Sequence, residues 1–167
     1  PDFPIPGVSF KDVSPLLKSL YFPSIIKEMK NLVKQPDYWV GIDARGFIFA
    51  SALAMKEGGL IMCRKKGKLP PPVVSETYSL EYGEDTLEIQ PGIGTVVVVD
   101  DVYATGGTMN AVEQLCKKSG YTVIDKLVLI DLKYLHEPNS VKSLICRVLS
   151  PDAMLLKPPP LDLYQAH

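Results

Sequence analysis

From Tyr38 onward, short apolar runs bounded by turn residues alternate with stretches whose apolar positions recur at helical spacing. Tyr38–Ile42 has strand length and leads straight into Asp43-Ala44-Arg45-Gly46-Phe47. A helix is expected over Ile48–Glu57, stopped by Gly58-Gly59, and a strand over Leu60–Arg64 follows. Thr95–Val99 is short and entirely β-branched, the composition of a strand buried on both faces of a parallel sheet. After a loop over Asp100–Gly107, a helix is expected over Thr108–Lys118, with Met109, Val112 and Leu115 on one side and Gly120 at its end. Two more strands are read at Val123–Asp131 and Leu144–Leu149. Strands separated mostly by helices specify an α/β fold: doubly wound, around a mainly parallel five-stranded sheet.

The start of the chain reads differently. Pro1–Gly7 is Pro-rich and extended in character. Ser14-Pro15 is the signature of an N-cap and first helical turn, and Ile25, Ile26, Met29, Leu32 and Val33 share one face of a second helix beginning near Ser24. Between the second and third strands lies a basic, Gly- and Pro-containing run from Lys65. It passes into alternation through Val74, Glu76, Tyr78 and Leu80, a turn at Gly83-Glu84-Asp85, and a return through Leu87 and Ile89. That pattern is a β-hairpin or long flap. From Pro151 the chain loses periodicity, and Pro158-Pro159-Pro160 mark it as an irregular tail.

Composition narrows the classes. With 46% apolar residues, 167 positions suit one domain with a sizeable core. A formal charge of −1 offers no global attraction to nucleic acid or an anionic membrane, so neither is an expected partner. Cys63, Cys116 and Cys146 are odd in number and widely spaced, which speaks against a disulfide framework or zinc site and for a reduced, cytoplasmic setting. No stretch reaches the roughly 18 apolar residues of a membrane span. His136 and His167 are expected at the surface, and Cys63 and Cys116 in the core.

The chemistry concentrates after the valine-rich strand, in Val96-Val97-Val98-Val99-Asp100-Asp101-Val102-Tyr103-Ala104-Thr105-Gly106-Gly107-Thr108-Met109. In open α/β sheets, ligands bind at the carboxyl ends of strands. Small residues at a helix N-terminus present free N–H groups, hydroxyls and the positive end of the helix dipole to a phosphate. Two carboxylates beside that loop repel phosphate but accept hydrogen bonds from a vicinal diol. A ribose carrying a phosphate satisfies both halves. A triphosphate P-loop is excluded because no Gly-Lys-Ser/Thr follows, and no GxGxxG is present.

The stretch from Val96 to Thr108 resembles the phosphoribosyl pyrophosphate signature of the type I phosphoribosyltransferases. The resemblance implies that Asp100 and Asp101 hold the ribose hydroxyls, and that Ala104, Thr105, Gly106, Gly107 and Thr108 hold the 5′-phosphate. Three further stretches resemble the adenine-specific members of that family. Pro1–Val8 with Phe10 resembles their base-binding segment, Asp43–Phe47 their pyrophosphate loop, and Arg64–Pro70 continuing to Tyr78-Ser79-Leu80-Glu81-Tyr82-Gly83 their catalytic flap. The implied division is one catalytic domain over residues 1–150, with a base-binding segment at 1–13, a flap at 64–90 and a tail at 151–167. Adenine would meet Val8, Phe10 and Lys11. Pyrophosphate would meet Arg45, Arg64, Lys65 and Lys68. Glu81 on the flap, beside Tyr82, would handle a proton, with Arg45 as the other catalytic residue. Lys11 replaces a more usual Arg, and Val102-Tyr103 a more usual Leu-Leu. The resemblance also implies Mg²⁺ carried by the pyrophosphate, rather than held in a protein cage, and a homodimer.

The charges make sense for that chemistry. Pyrophosphate leaving C1 of ribose gains negative charge as the bond breaks, so cations aimed at it act most strongly in the transition state. Arg64, Lys65, Lys66 and Lys68, with Gly67 as a hinge, form a segment able to close over a ligand. Lys66 is the one expected to be merely exposed. Two alternatives remain open at this stage: transfer to another base, or a non-catalytic regulatory domain that binds phosphoribosyl pyrophosphate.

Overall fold

A computed structural model describes residues 12–79 and 83–147. Val8, Phe10 and Lys11, the flap residues Glu81 and Tyr82, and the tail from Pro151 lie outside the described residues. The elements run α1 (Ser14–Leu17), α2 (Phe22–Asn31), β1 (Tyr38–Ile42), α3 (Gly46–Ala54), β2 (Gly59–Lys65), β3 (Val74–Ser79), β4 (Glu84–Ile89), β5 (Gly94–Tyr103), α4 (Gly107–Lys118), β6 (Tyr121–Leu132), a 3₁₀ turn (Lys133–Leu135) and β7 (Lys142–Arg147). One sheet has the order β3-β4-β2-β1-β5-β6-β7. The five strands β2, β1, β5, β6 and β7 are parallel, as expected, while β4 joins β2 antiparallel and brings β3 with it.

The four consecutive valines of β5 divide between two cores, because alternate side chains of a strand face opposite sides. Val96 and Val98 pack with Met109, Val112 and Leu115 of α4. Val97 and Val99 pack with Trp39 of β1, Phe49 and Leu53 of α3, and Ile26 and Met29 of α2. Helices on both faces bury the sheet, and fully burying one such side chain contributes roughly 1.5–3 kcal/mol. Trp39 is fully buried yet keeps its indole N–H bonded to the Glu57 carbonyl at 3.0 Å. Cys63 and Cys116 fill the α4-side core, as expected.

Several boundaries differ from the expectation for physical reasons. β5 does not stop at Val99. Its backbone stays paired with β6 as far as Tyr103 beside Asp131, so the acidic pair lies on a strand and not in a loop. Glu84 and Asp85, expected in the hairpin turn, instead pair with Ser79 and Tyr78 across the ladder. At the first helix, Ser14 is a helical residue and Asp12 accepts its N–H at 2.8 Å. His136 is not a surface residue: its side chain is 7% exposed and is bonded to the buried Asp131. Nothing in a Leu-His-Glu-Pro string reveals a partner five residues upstream on a neighbouring strand.

Helix α3 starts at Gly46, two residues ahead of its expected start at Ile48, because a close approach permits it. A Cβ on Gly46 would lie 2.7 Å from the Val99 carbonyl oxygen and 3.2 Å from Asp100 Oδ1. That contact seats the N-terminus of α3 against the end of β5. Gly46→Ala is therefore expected to cost about 1–3 kcal/mol by overpacking. The corresponding fall in melting temperature is about 2–4 °C per kcal/mol for a chain of this size. An unchanged melting curve would show that the two elements can separate freely.

Candidate active site

The carboxyl ends of β1 and β5, the N-termini of α3 and α4, and the turn end of the β3–β4 hairpin surround one cleft. Its wall includes Arg45, Lys65, Tyr78, Asp100, Asp101 and Thr108. A second hollow continues from it along the loop from Val102 to Met109, sharing Asp100, Val102 and Thr108. The chain is thus folded so that the acidic pair stands between a basic wall and the start of a helix.

The loop segment needs little side chain. Gly106 has a left-handed φ of +88°, and its Cβ position would fall 2.3 Å from Tyr103 Oη, so a residue with a side chain meets both strain and a clash. Gly107 has only Thr105 Oγ1 near its Cβ position, at 4.0 Å, leaving its backbone open to an approaching group. Thr105 and Gly107 are exposed and Thr108 is half-buried. Thr108 Oγ1 lies 3.3 Å from Tyr78 Oη, a contact that ties β3 to the start of α4. Lys118 and Glu76 make a second tie further along.

Arg45 caps the N-terminus of α3, and its Nε is 2.8 Å from Asp101 Oδ2. Asp101 is 3% exposed, and this oxygen receives no well-directed hydrogen bond, so the contact is an ion pair without ideal geometry. Asp43, preceding a cis peptide to Ala44, lies 3.5 Å from Arg64 Nε, and Arg64 also donates to the Lys68 carbonyl at 3.3 Å. Lys65 Nζ is 3.0 Å from Asp85 Oδ2, and that hydrogen bond is the main reason its ammonium is held above the usual range. Lys65 is more than half exposed, so this pair is readily exchanged for another anion. Lys66 and Lys68 are exposed, and Lys68 contributes its backbone carbonyl to this region. The structure brings Arg45, Lys65, Asp100, Asp101 and Thr108 to one cleft, with Arg64 behind Asp43, and leaves the Lys68 side chain outside it.

Residues 24–150 match the phosphoribosyl transferase domain. The chain belongs to the phosphoribosyltransferase family. Adenine phosphoribosyltransferase of Hydrogenovibrio crunogenus is 46% identical over 156 residues, covering 87% of this chain and 90% of that protein. The one from Bdellovibrio bacteriovorus is 46% identical over 143 residues, covering 82% and 86%. Among solved structures, adenine phosphoribosyltransferase of Thermoanaerobacter pseudethanolicus superposes with a TM-score of 0.81 at 37% identity, covering 88% of this chain and 93% of that one. The Saccharomyces cerevisiae enzyme, complexed with an imino-altritol bisphosphate and adenine, gives 0.72 at 34% identity, covering 81% and 84%.

Within this phosphoribosyltransferase, sequence reasoning missed three groups. Asp85 lies in a string read as a turn, yet it neutralises Lys65. Tyr78 opens the stretch that resembles the flap, but nothing in the sequence pairs it with Thr108. Glu88 is buried and accepts the Gly67 N–H at 2.8 Å, fixing the expected hinge, where φ is +78°. Each of these contacts crosses between elements, so no local spacing signals it.

The acidic pair sets the electrostatics of the cleft. Burial raises the Asp100 carboxyl well above its ordinary range, and the adjacent Asp101 charge raises it further. Because the folded value is raised, the folded state binds protons more tightly than the unfolded chain. The stability contribution of protonated Asp100 is present at low pH and lost as pH rises through the folded value. Asp100→Asn removes that cost, so the variant is expected to melt at a higher temperature than wild type at neutral pH, with the difference shrinking on acidification. A variant that melts lower at neutral pH would show that the carboxylate is stabilised where it stands.

Proposed function

We propose that this protein transfers the 5-phosphoribosyl group from phosphoribosyl pyrophosphate to adenine, giving AMP and pyrophosphate in purine salvage. One observation carries this reading. The Asp100-Asp101 pair sits between the glycine-opened N-terminus of α4 on one side and Arg45 and Lys65 on the other. A phosphate, a ribose diol and a pyrophosphate occupy successive parts of such a cleft. The relatives that share most of its length are adenine phosphoribosyltransferases, which supports adenine over other bases.

In this mechanism Ala104, Thr105, Gly106, Gly107 and Thr108 bind the 5′-phosphate through backbone N–H groups and hydroxyls at the positive end of the helix. Asp100 and Asp101 accept hydrogen bonds from the ribose hydroxyls, which favours their ionised forms on binding. Arg45 keeps its pair with the buried Asp101 and lines the same cleft, where it adds positive charge beside the leaving group. Lys65, more than half exposed, trades Asp85 for pyrophosphate, while Arg64 and Lys68 approach when the hairpin closes. The C1–oxygen bond breaks with its electron pair on pyrophosphate, a purine nitrogen bonds to C1, and Glu81 moves the proton at the purine. Phe10 stacks on adenine, with Val8 and Lys11 at its edge and Tyr82 beside Glu81. Residues 1–150 form the catalytic unit, with 1–13 for the base and 64–90 as the closing flap.

Among the described residues no three His, Cys, Asp or Glu side chains converge as a metal cage. The donors present suit a hard cation that arrives on substrate oxygens and needs at most one or two carboxylates. Asp100, which lines the cleft, would be the carboxylate nearest to such an ion. Mg²⁺ would supply neutralisation of the pyrophosphate charge. No described helix is long and apolar enough to cross a membrane. A cytoplasmic homodimer, with no nucleic-acid or membrane partner, completes the proposal.

Two experiments test it. Supplied with phosphoribosyl pyrophosphate and Mg²⁺, the protein should convert adenine far faster than hypoxanthine, guanine or orotate. Equal use of hypoxanthine would overturn the adenine assignment, and binding without turnover of any base would favour a regulatory domain. In single-turnover measurements, Glu81→Gln should slow AMP formation by about 10²–10⁴-fold, the usual size of general acid–base help. Phosphoribosyl pyrophosphate affinity should stay near wild type in that variant. Undiminished chemistry would remove Glu81 from the mechanism.

A further inference from the structure

Next to the loop Ala104–Thr108, and reaching it through Tyr103, lies a polar cluster that the mechanism does not use. Asp131, near the end of β6, is 1% exposed, and the β5–β6 register sets it directly beside Tyr103. His136, just past the 3₁₀ turn, folds back so that its Nε2 is 2.7 Å from Asp131 Oδ1, the ring nitrogen donating to the carboxylate. Its Nδ1 is 2.9 Å from Asn139 Nδ2. The imidazole stands edge-on to the Tyr103 ring, with centroids 4.7 Å apart and planes at 89°. Tyr103 is 5% exposed and reaches under Gly106.

This order of contacts has a mechanical meaning. The loop consists of small residues, so its shape depends on what supports it from below. Tyr103 is the support at Gly106, the residue whose left-handed backbone opens α4. The Tyr103 ring in turn has one polar wall, His136, and that imidazole is held at both nitrogens. A buried hydrogen-bonded group locks a rotamer more firmly than apolar contact does, because its alternatives leave Asp131 unpaired. The geometry points to Asp131 and His136 as positioning residues for the phosphate loop, acting through Tyr103 to hold Gly106 where its neighbours' N–H groups converge on the 5′-phosphate. This inference rests on the reading of Ala104–Thr108 as the phosphate-binding segment.

Calorimetric binding of ribose 5-phosphate, ribose and phosphoribosyl pyrophosphate separates the two levels. A wild-type preference for ribose 5-phosphate over ribose tests the loop reading, and absence of that preference would remove both claims. Given the preference, His136→Ala should weaken ribose 5-phosphate and phosphoribosyl pyrophosphate by about tenfold. Adenine binding and single-turnover chemistry at saturating substrate should remain near wild type. In a Tyr103→Leu background the same substitution should add little, because the support it braces is gone. A double-mutant cycle reads this as non-additivity in binding. Should His136→Ala not fold, Asp131→Asn, which keeps the volume and a neutral partner, takes its place with the same expectation in smaller degree. A folded variant with wild-type affinity for ribose 5-phosphate, or effects of His136→Ala and Tyr103→Leu that simply add, overturns the inference.

Discussion

Two adjacent carboxylates at the end of a strand buried on both faces are the constraint around which this structure is arranged. Asp101 is almost wholly withdrawn from water, and Asp100 stands beside it with its own carboxyl raised by burial. Removing such charges from water is expensive unless partners compensate. Arg45, delivered by the N-terminus of α3, gives partial compensation, and Gly46 lets that helix come close enough to supply it. The compensation is left incomplete, since the buried Asp101 Oδ2 receives no well-directed hydrogen bond.

The basic side of the cleft follows the same logic with weaker pairs. Asp85 holds Lys65 and Asp43 holds Arg64, so these cations are positioned by carboxylates in partly exposed pairs. The hairpin carrying Asp85 is itself fastened to α4 through Tyr78–Thr108 and Lys118–Glu76, while Glu88 pins the Gly67 turn. Leu87 and Ile89 of β4 also belong to the α4-side core, so the hairpin's foundation is fixed, and the contacts near its turn are the exchangeable ones.

Beside the loop Ala104–Thr108, Asp131, His136 and Tyr103 form a third layer of polar order. The acidic pair and this cluster share the two strands β5 and β6, whose pairing runs from Gly94 to Tyr103, whereas the basic pairs stand on β2, β4 and the turn after β1.

What the sequence determined by itself was the periodicity and the local chemistry. The β-branched run of β5 specifies a doubly buried parallel strand, and Ala104–Thr108 after two acids specifies a phosphate loop, because both signals lie in consecutive residues. The order of strands and helices, and with it the doubly wound architecture, followed for the same reason. Only the tertiary structure decided which carboxylate meets which cation, since Arg45–Asp101, Lys65–Asp85 and Asp43–Arg64 all join different elements. It decided equally that β5 continues through the acidic pair, because strand length there is set by pairing with β6 and not by side-chain pattern. His136 shows the limit most plainly. Its burial depends on a register between two strands and a chain reversal after β6, and no property of the residues flanking it carries that information.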